Sequence, residues 1–310
     1  EQVGVLWADL LKRGVKIHFA HRTFQWTSEA RGKAAVHCVI IGFALHDVED
    51  KRIFEYENPQ GDPHEIKANN INPYLVDAPT CLLQRRSKPI CDVPEINKGS
   101  EATDFGYLIL LPEEKNKLIE MEPQVAIWTR PFIGGEEFIN GHKRYCLWLD
   151  GIKPNEIKMM PTVMERVKKV RDRRLESDKV RTREWASFPN LFTENRQPKS
   201  DYLVIPKVSS ERRVFIPIGF ISKDWIANGS ILVIPEANFY HFAVLSSSMH
   251  MAWMRYTCGR MKSDYQYSNT IVYNNFPWPQ NPTEKQQQVI ETAAQAVLDA
   301  RAQFPDSSLA

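Results

Sequence analysis

The sequence predicts an α+β protein in which the end of an α/β sheet is followed by a loop-rich α+β region and then by a helical region. Three observations carry this. Residues 1–58 read as helix, strand, loop, strand, with one long apolar run; beyond Asn58 the apolar stretches shorten and are punctuated by Pro and Gly; and from Asn238 onward helical periodicity dominates.

Taken in order, Val3, Leu6, Trp7, Leu10 and Leu11 recur at helical spacing and Gly14 stands where a C-terminal cap belongs. The segment Val15–Phe19 reads as a strand. The polar stretch Thr27–Lys33 leads into an uninterrupted apolar run, Ala34–Phe43, expected to be a strand buried on both faces. Arg52–Glu57 adds another strand, and the cluster Asn58–Pro63 marks a turn or linker. Next come short strand-like pieces at Tyr107–Leu111, Val125–Trp128 and Tyr145–Leu149. A long helical segment is expected from Pro154 to about Glu184, with Pro161 starting a helix of its own. Tyr202–Val208 and Arg213–Ile221 are expected to form a hairpin, with Ile231–Ile234 as a third strand. A helix from about Asn238 to Cys258 and a final helix from about Pro282 to Ala302, capped by Thr283, complete the chain. The expected division is residues 1–60, 61–236 and 237–310.

Bulk composition excludes little by itself. Among 310 residues, 40 Lys+Arg against 38 Asp+Glu leave a formal charge of +2, so any basic surface has to be local. No run approaches the ~18 consecutive apolar residues of a membrane span. Five cysteines without CxxC spacing are expected to be reduced thiols of a cytoplasmic protein. The chain opens at Glu1 directly on an amphipathic pattern, which suggests a piece of a longer polypeptide.

Two segments carry binding chemistry. Arg166–Arg183 holds nine basic residues (Arg166, Lys168, Lys169, Arg171, Arg173, Arg174, Lys179, Arg181, Arg183) against Asp172, Glu176 and Asp178, a local charge of +6. Cations along one helix can neutralise phosphates; the same run also fits a solvated helix face. The second segment is Arg260–Ser268. Here Lys262 and Asp264, two apart, project to the same side of an extended loop, where Lys can donate to guanine and Asp can accept from the paired cytosine. A plain surface ion pair satisfies the same spacing.

Other constellations fall short. His18 and His21 lack further ligands at metal-binding spacing, and Ser246–Ser248 with His250 lacks a GxSxG elbow. Gly134-Gly135 lacks the context of a dinucleotide loop, and Asn72-Pro73-Tyr74 is one residue short of an Asn-Pro-Pro-Tyr motif and reads as a structural turn.

The segment HFAHRTFQWTSEARGKAAVHCVIIGF (His18–Phe43) resembles the close of the adenine-N6 methyltransferase domain in MmeI-type restriction–modification enzymes. MHMAWMRYTCGRMKSDYQYSNTIVYNNFPWP (Met249–Pro279) resembles the segment that follows their target-recognition domain. The two stretches lie in the family's order, so the resemblance spans nearly the whole chain. It implies a 1–60 methyltransferase end, a 61–236 target-recognition domain and a 237–310 C-terminal region. It also implies double-stranded DNA as partner, with the S-adenosylmethionine site and catalytic motif upstream, in the same polypeptide. The fragment alone would then be inactive; a nuclease domain, where one lies upstream, would use magnesium. By position, Phe24, or alternatively Trp26, would stack on the flipped adenine. Lys262 and Asp264 would read one base pair, with Lys168, Lys169, Arg173, Arg260, Tyr265 and Tyr267 on the DNA backbone. Two rival readings remain: a recognition-only subunit, which has no use for a buried methyltransferase strand, and a module for partners other than DNA.

Overall fold

The computed structural model describes residues 2–26 and 36–310, with Val36 described in its backbone alone. The polar stretch 27–33 and Ala34 and Ala35 lie outside the described residues. The chain forms two compact units: residues 1–91, 210–212 and 252–277 in the first, and residues 92–209, 213–251 and 278–310 in the second. These units cut across the three consecutive segments expected from the sequence.

In the first unit the helix Gln2–Lys12 presents its apolar stripe to a sheet, burying Trp7, and ends before Gly14, whose φ of +83° only glycine adopts freely. The sheet has the order β2-β1-β3-β4, with β1 Lys16–Trp26, β2 Val36–Ala44, β3 Lys51–Glu55 and β4 His64–Ala68. β2 is antiparallel to β1, β3 is parallel to β1, and β4 is antiparallel to β3. Val15, Ile17, Ala20, Ile53, Ala68, Ile71 and Leu75 close over Trp7 as the core. Opposite Phe19 in the register stands Gly42, where an added Cβ would meet the Phe19 ring at 2.0 Å. The missing side chain is what lets the ring lie across the neighbouring strand.

The apolar run in β2 does not behave as expected. Val39, Ile40 and Phe43 are exposed, at 47%, 40% and 51%, because β2 is an edge strand of the described sheet. A run without alternation signals two apolar faces but does not say whether both are covered. Asn72-Pro73-Tyr74 is a turn, as expected: Asn72 is buried and its Oδ1 accepts from the Tyr74 N–H at 2.9 Å.

The later part of this unit folds back through Asn274 and Asn275, both buried. Asn275 Nδ2 donates to the carbonyls of Gln84, Thr270 and Ile271 at 3.0–3.1 Å, and its Oδ1 accepts from Arg86 Nε at 3.0 Å. Asn274 Nδ2 donates to the Arg86 carbonyl at 2.8 Å. What reads in sequence as a boundary is a polar staple joining positions nearly two hundred residues apart.

The second unit holds two sheets. One runs Gly219–Ile221, Tyr202–Pro206, Ile231–Pro235, Asn97–Lys98; the other runs Ile226–Ala227, Thr129–Ile133, Arg144–Leu147, Ile109–Leu110. Val163, Val167 and Val170 of the helix Pro161–Leu175 pack with Leu108, Leu110, Leu147, Leu149 and Phe192. Three helical or strand expectations are corrected. The segment 154–184 is three helices, Pro154–Lys158, Pro161–Leu175 and Val180–Glu184. The segment 238–258 breaks at Ser246 and Ser247, where the Ser247 hydroxyl donates to the Val244 carbonyl at 2.7 Å. Only Gly219–Ile221 of the expected 213–221 strand pairs with Tyr202–Pro206. The final helix, Glu284–Ala302, begins at Thr283, whose hydroxyl accepts from Gln286 N–H.

Candidate nucleic-acid interface

The segment Gly259–Gln266 is a β-hairpin, strands Gly259–Met261 and Asp264–Gln266, with Lys262 and Ser263 as a two-residue turn. Such turns need a positive φ at a central residue, and here Lys262 supplies it, at +58°. Lys262 and Asp264 therefore do not project from one side of an extended loop. Lys262 is the exposed tip, and Asp264 is half-buried at the start of the returning strand, its Oδ1 accepting from the Glu211 N–H at 3.3 Å.

Arg260 braces this hairpin. Its guanidinium lies 4.2 Å over the Tyr265 ring and donates to the Ser263 and Arg255 carbonyls at 3.3 Å. The expectation that Tyr265 and Tyr267 touch the DNA backbone is corrected: they are 6% and 4% exposed. Burial, with Tyr273 and Cys258 alongside, pushes the Tyr267 hydroxyl well above its ordinary pKa. Both rings hold the hairpin from inside.

In the second unit the helix Pro161–Leu175 buries its three valines and exposes Lys168, Lys169, Arg171 and Arg173. Two of these carry partners: Lys169 pairs with Glu165 at 2.8 Å and Arg173 with Glu176 at 2.7 Å. The hydrogen bond with Glu165 raises the Lys169 pKa. Arg174 departs from the surface set altogether. It is fully buried, and its guanidinium donates to the carbonyls of Ala102, Thr103, Trp185, Phe188 and Leu191 at 2.8–3.1 Å. Desolvation lowers its pKa to about 10, leaving it charged at neutral pH. The +6 of the segment thus includes one cation that ties loops to the helix. A sequence signal exists, since Arg174 continues the stripe of Val163, Val167 and Val170, spaced alternately four and three residues apart.

Phe24 lies in an aromatic cluster at the end of β1. Its ring stacks on Tyr56 (centroids 5.2 Å, 20°), the Tyr56 hydroxyl is 2.9 Å from His21 Nδ1, and His21 stacks on Phe54 at 4.3 Å. Burial lowers the His21 pKa. Trp26 is 53% exposed, so Phe24 is the held ring and Trp26 the open one. No group of three or more His, Cys, Asp or Glu side chains able to hold a metal occurs among the described residues. No helix there is long and apolar enough to cross a membrane. The described part of residues 1–60 has no glycine-rich strand-to-helix turn that would cradle S-adenosylmethionine.

The sheet end, the hairpin and the basic helix all fall within stretches that family models match. These family models are MmeI, DNA-methyltransferase domain, over residues 1–55; MmeI, target recognition domain, over 77–280; and MmeI, C-terminal domain, over 282–310. The chain belongs to the MmeI family of restriction–modification DNA methyltransferases. It is 37% identical over 302 residues to DNA methyltransferase A of Bacillus subtilis (strain 168), covering 97% of this chain and 34% of that protein. The solved structure of the Type IIL restriction-modification enzyme MmeI in complex with DNA is similar at 50% identity and a TM-score of 0.93, over 100% of this chain and 41% of that one. The chain thus spans about a third to two fifths of the relatives it matches.

Proposed function

We propose that this chain grips duplex DNA and reads a short site for a longer polypeptide that methylates adenine N6 with S-adenosylmethionine. The observation that carries the reading is the hairpin tip. A lysine sits in a backbone conformation that favours glycine, two residues from a carboxylate held by a backbone N–H, in a turn braced by Arg260 and two buried tyrosines. Holding a lysine at such a position costs about 1 kcal/mol or more, and a cation offered to a groove gives that cost a use. Lys262 donates to guanine O6 or N7 and Asp264 accepts from the cytosine amino group of the same pair.

Lys168, Lys169, Arg171 and Arg173 neutralise phosphates, and Arg260 acts by positioning. Phe24, held by Tyr56, is the favoured stacking surface for the extruded adenine, with Trp26 as the more exposed alternative. The open apolar edge at Val39, Ile40 and Phe43 is where the rest of a methyltransferase sheet continues. Cofactor binding and methyl transfer belong to that remainder, so the chain alone is inactive; magnesium would serve an upstream nuclease where one is present. The protein works in the cytoplasm, where reduced cysteines and DNA coexist.

The test is binding of the full-length protein to duplexes with and without its site across a salt series. Specific binding whose affinity falls steeply with salt supports the reading; equal, salt-insensitive binding to every duplex overturns it.

A further inference from the structure

Within the first unit an open cleft of about 640 Å³ lies between the end of β1 and the 259–266 hairpin. Its walls include Gln25, Tyr56 and Gln60 on one side and Arg212, Arg260 and Tyr265 on the other. The carboxylates of Glu57 and Glu211 also line it. Two cations and two anions face the same space, whereas a groove built to hold phosphate alone would be cationic. Mixed donors and acceptors match base edges.

Two of those groups are joined. Gln60 Nε2 donates to Gln25 Oε1 at 2.5 Å. Both backbones are fixed beneath them: Gln25 N–H donates to the Pro59 carbonyl at 2.7 Å, Gln60 N–H to Asn58 Oδ1 at 3.1 Å, and Gly61 N–H to the Asn58 carbonyl at 2.8 Å. The bond between the amides leaves both Gln25 Nε2 hydrogens and the second Gln60 Nε2 hydrogen as donors, and Gln60 Oε1 as an acceptor. The Gln25 amide thus offers a donor beside the Gln60 Oε1 acceptor, above a backbone fixed by the 58–61 turn.

We propose that the Gln25–Gln60 amide pair is a second base-reading element of this chain, specific for adenine. The inference rests on the proposed DNA-reading role. Gln25 Nε2 donates to adenine N7 and Gln60 Oε1 accepts from the adenine N6 amino group. Guanine would set its O6 against Gln60 Oε1, acceptor against acceptor, and is rejected. Gln25 is separated from Phe24 by strand alternation, so the pair reads a base other than the one stacked on Phe24. It is also distinct from the base pair read by Lys262 and Asp264.

The experiment is competition binding of the full-length protein to duplexes in which each base pair of the site is replaced in turn, and each adenine by 7-deazaadenine. The unmodified protein should lose between about fivefold and a hundredfold at one adenine on replacement by guanine, and a smaller part on 7-deaza substitution. In Gln25→Ala and Gln60→Ala that position should become indifferent, with the position read by Lys262 and Asp264 unchanged. Gln25→Glu, similar in size but without the N7 donor, should give the same local loss and guards against misfolding of the alanine variants. An unchanged profile in these variants, or an equal loss on every duplex, overturns the amide-pair proposal alone. A full-length protein that shows no preferred site overturns the DNA-reading role as well.

Discussion

Lys262 and Asp264 are held by different means although they belong to one turn. Lys262 is exposed at the tip with a φ of +58°, and Asp264 is half-buried, fixed by the Glu211 N–H at 3.3 Å. The cation is therefore free to move over its four-carbon stem while the carboxylate is fixed in place. In the proposed reading, the aspartate sets where the base pair lies and the lysine adapts to it.

Exchanging the charges, Lys262→Glu with Asp264→Arg, should move the preference at one base pair by ~1–3 kcal/mol in the full-length protein. Unchanged preference in a binding assay over all four base pairs would end their reading role. Lys262→Gly separates reading from folding: glycine relaxes the positive φ and should stabilise the protein by about 1 kcal/mol, while removing the discrimination. Thermal denaturation and the same binding assay measure the two effects independently.

Neutralising Lys168, Lys169 and Arg173 should weaken binding by similar factors on every sequence. It should also flatten the salt dependence by about one unit of slope for each phosphate left without its cation. The ion pairs refine this. Lys169 and Arg173 are shared with Glu165 and Glu176, so Lys168→Ala and Arg171→Ala should each lower affinity more than Lys169→Ala. A weakening confined to the specific site would remove this helix from backbone contact.

How far the sequence can be read depends on the range of the interactions. The opening helix, its stop at Gly14, the last helix with its Thr283 cap and the turn at Asn72 rest on contacts a few residues apart, and all are legible. The hairpin at 259–266 is not, because nothing local marks Lys262 as a positive-φ residue; Asn or Gly would announce the turn. Arg174 shares the valine face of its helix, so its burial leaves a local trace, but its five carbonyl partners come from distant loops at 102–103 and 185–191 and leave none. The openness of β2 depends on strand order, which an apolar run does not encode. Gln25 and Gln60 meet only because the 58–61 turn docks on β1.

Arg174→Ala should destabilise the protein by about 3–5 kcal/mol, because five carbonyls lose the donor of a fully buried guanidinium and a cavity opens beneath the helix. Arg174→Lys should recover only part, since one ammonium has three donors where the guanidinium fork has five. Chemical denaturation of the two variants checks both statements, and a loss below about 1 kcal/mol for Arg174→Ala would mean the carbonyls find water instead.

His250 gives the fold a defined acid sensitivity. It lies fully buried in the first turn of the helix Ser248–Thr257, just past the break at Ser246 and Ser247, and burial lowers its pKa from 6.5 to about 4 against an opposing hydrogen bond with the Leu245 backbone. In the unfolded chain the imidazole takes a proton below about 6.5, whereas in the native protein it stays neutral until about 4. Unfolding therefore binds a proton between those values, so stability is full above about pH 6.5, falls as pH drops through this window, and has no further dependence on this group below it. A shift of that size corresponds to about 3 kcal/mol. His241, whose pKa burial also lowers, acts with the same sign, so the contribution of His250 is the difference between the unmodified protein and His250→Gln. Denaturant unfolding measured at intervals from about pH 7 to about pH 4 should show the two curves converging as pH falls. Parallel curves across that range would mean that His250 takes up its proton at the same pH in the native protein as in the unfolded chain.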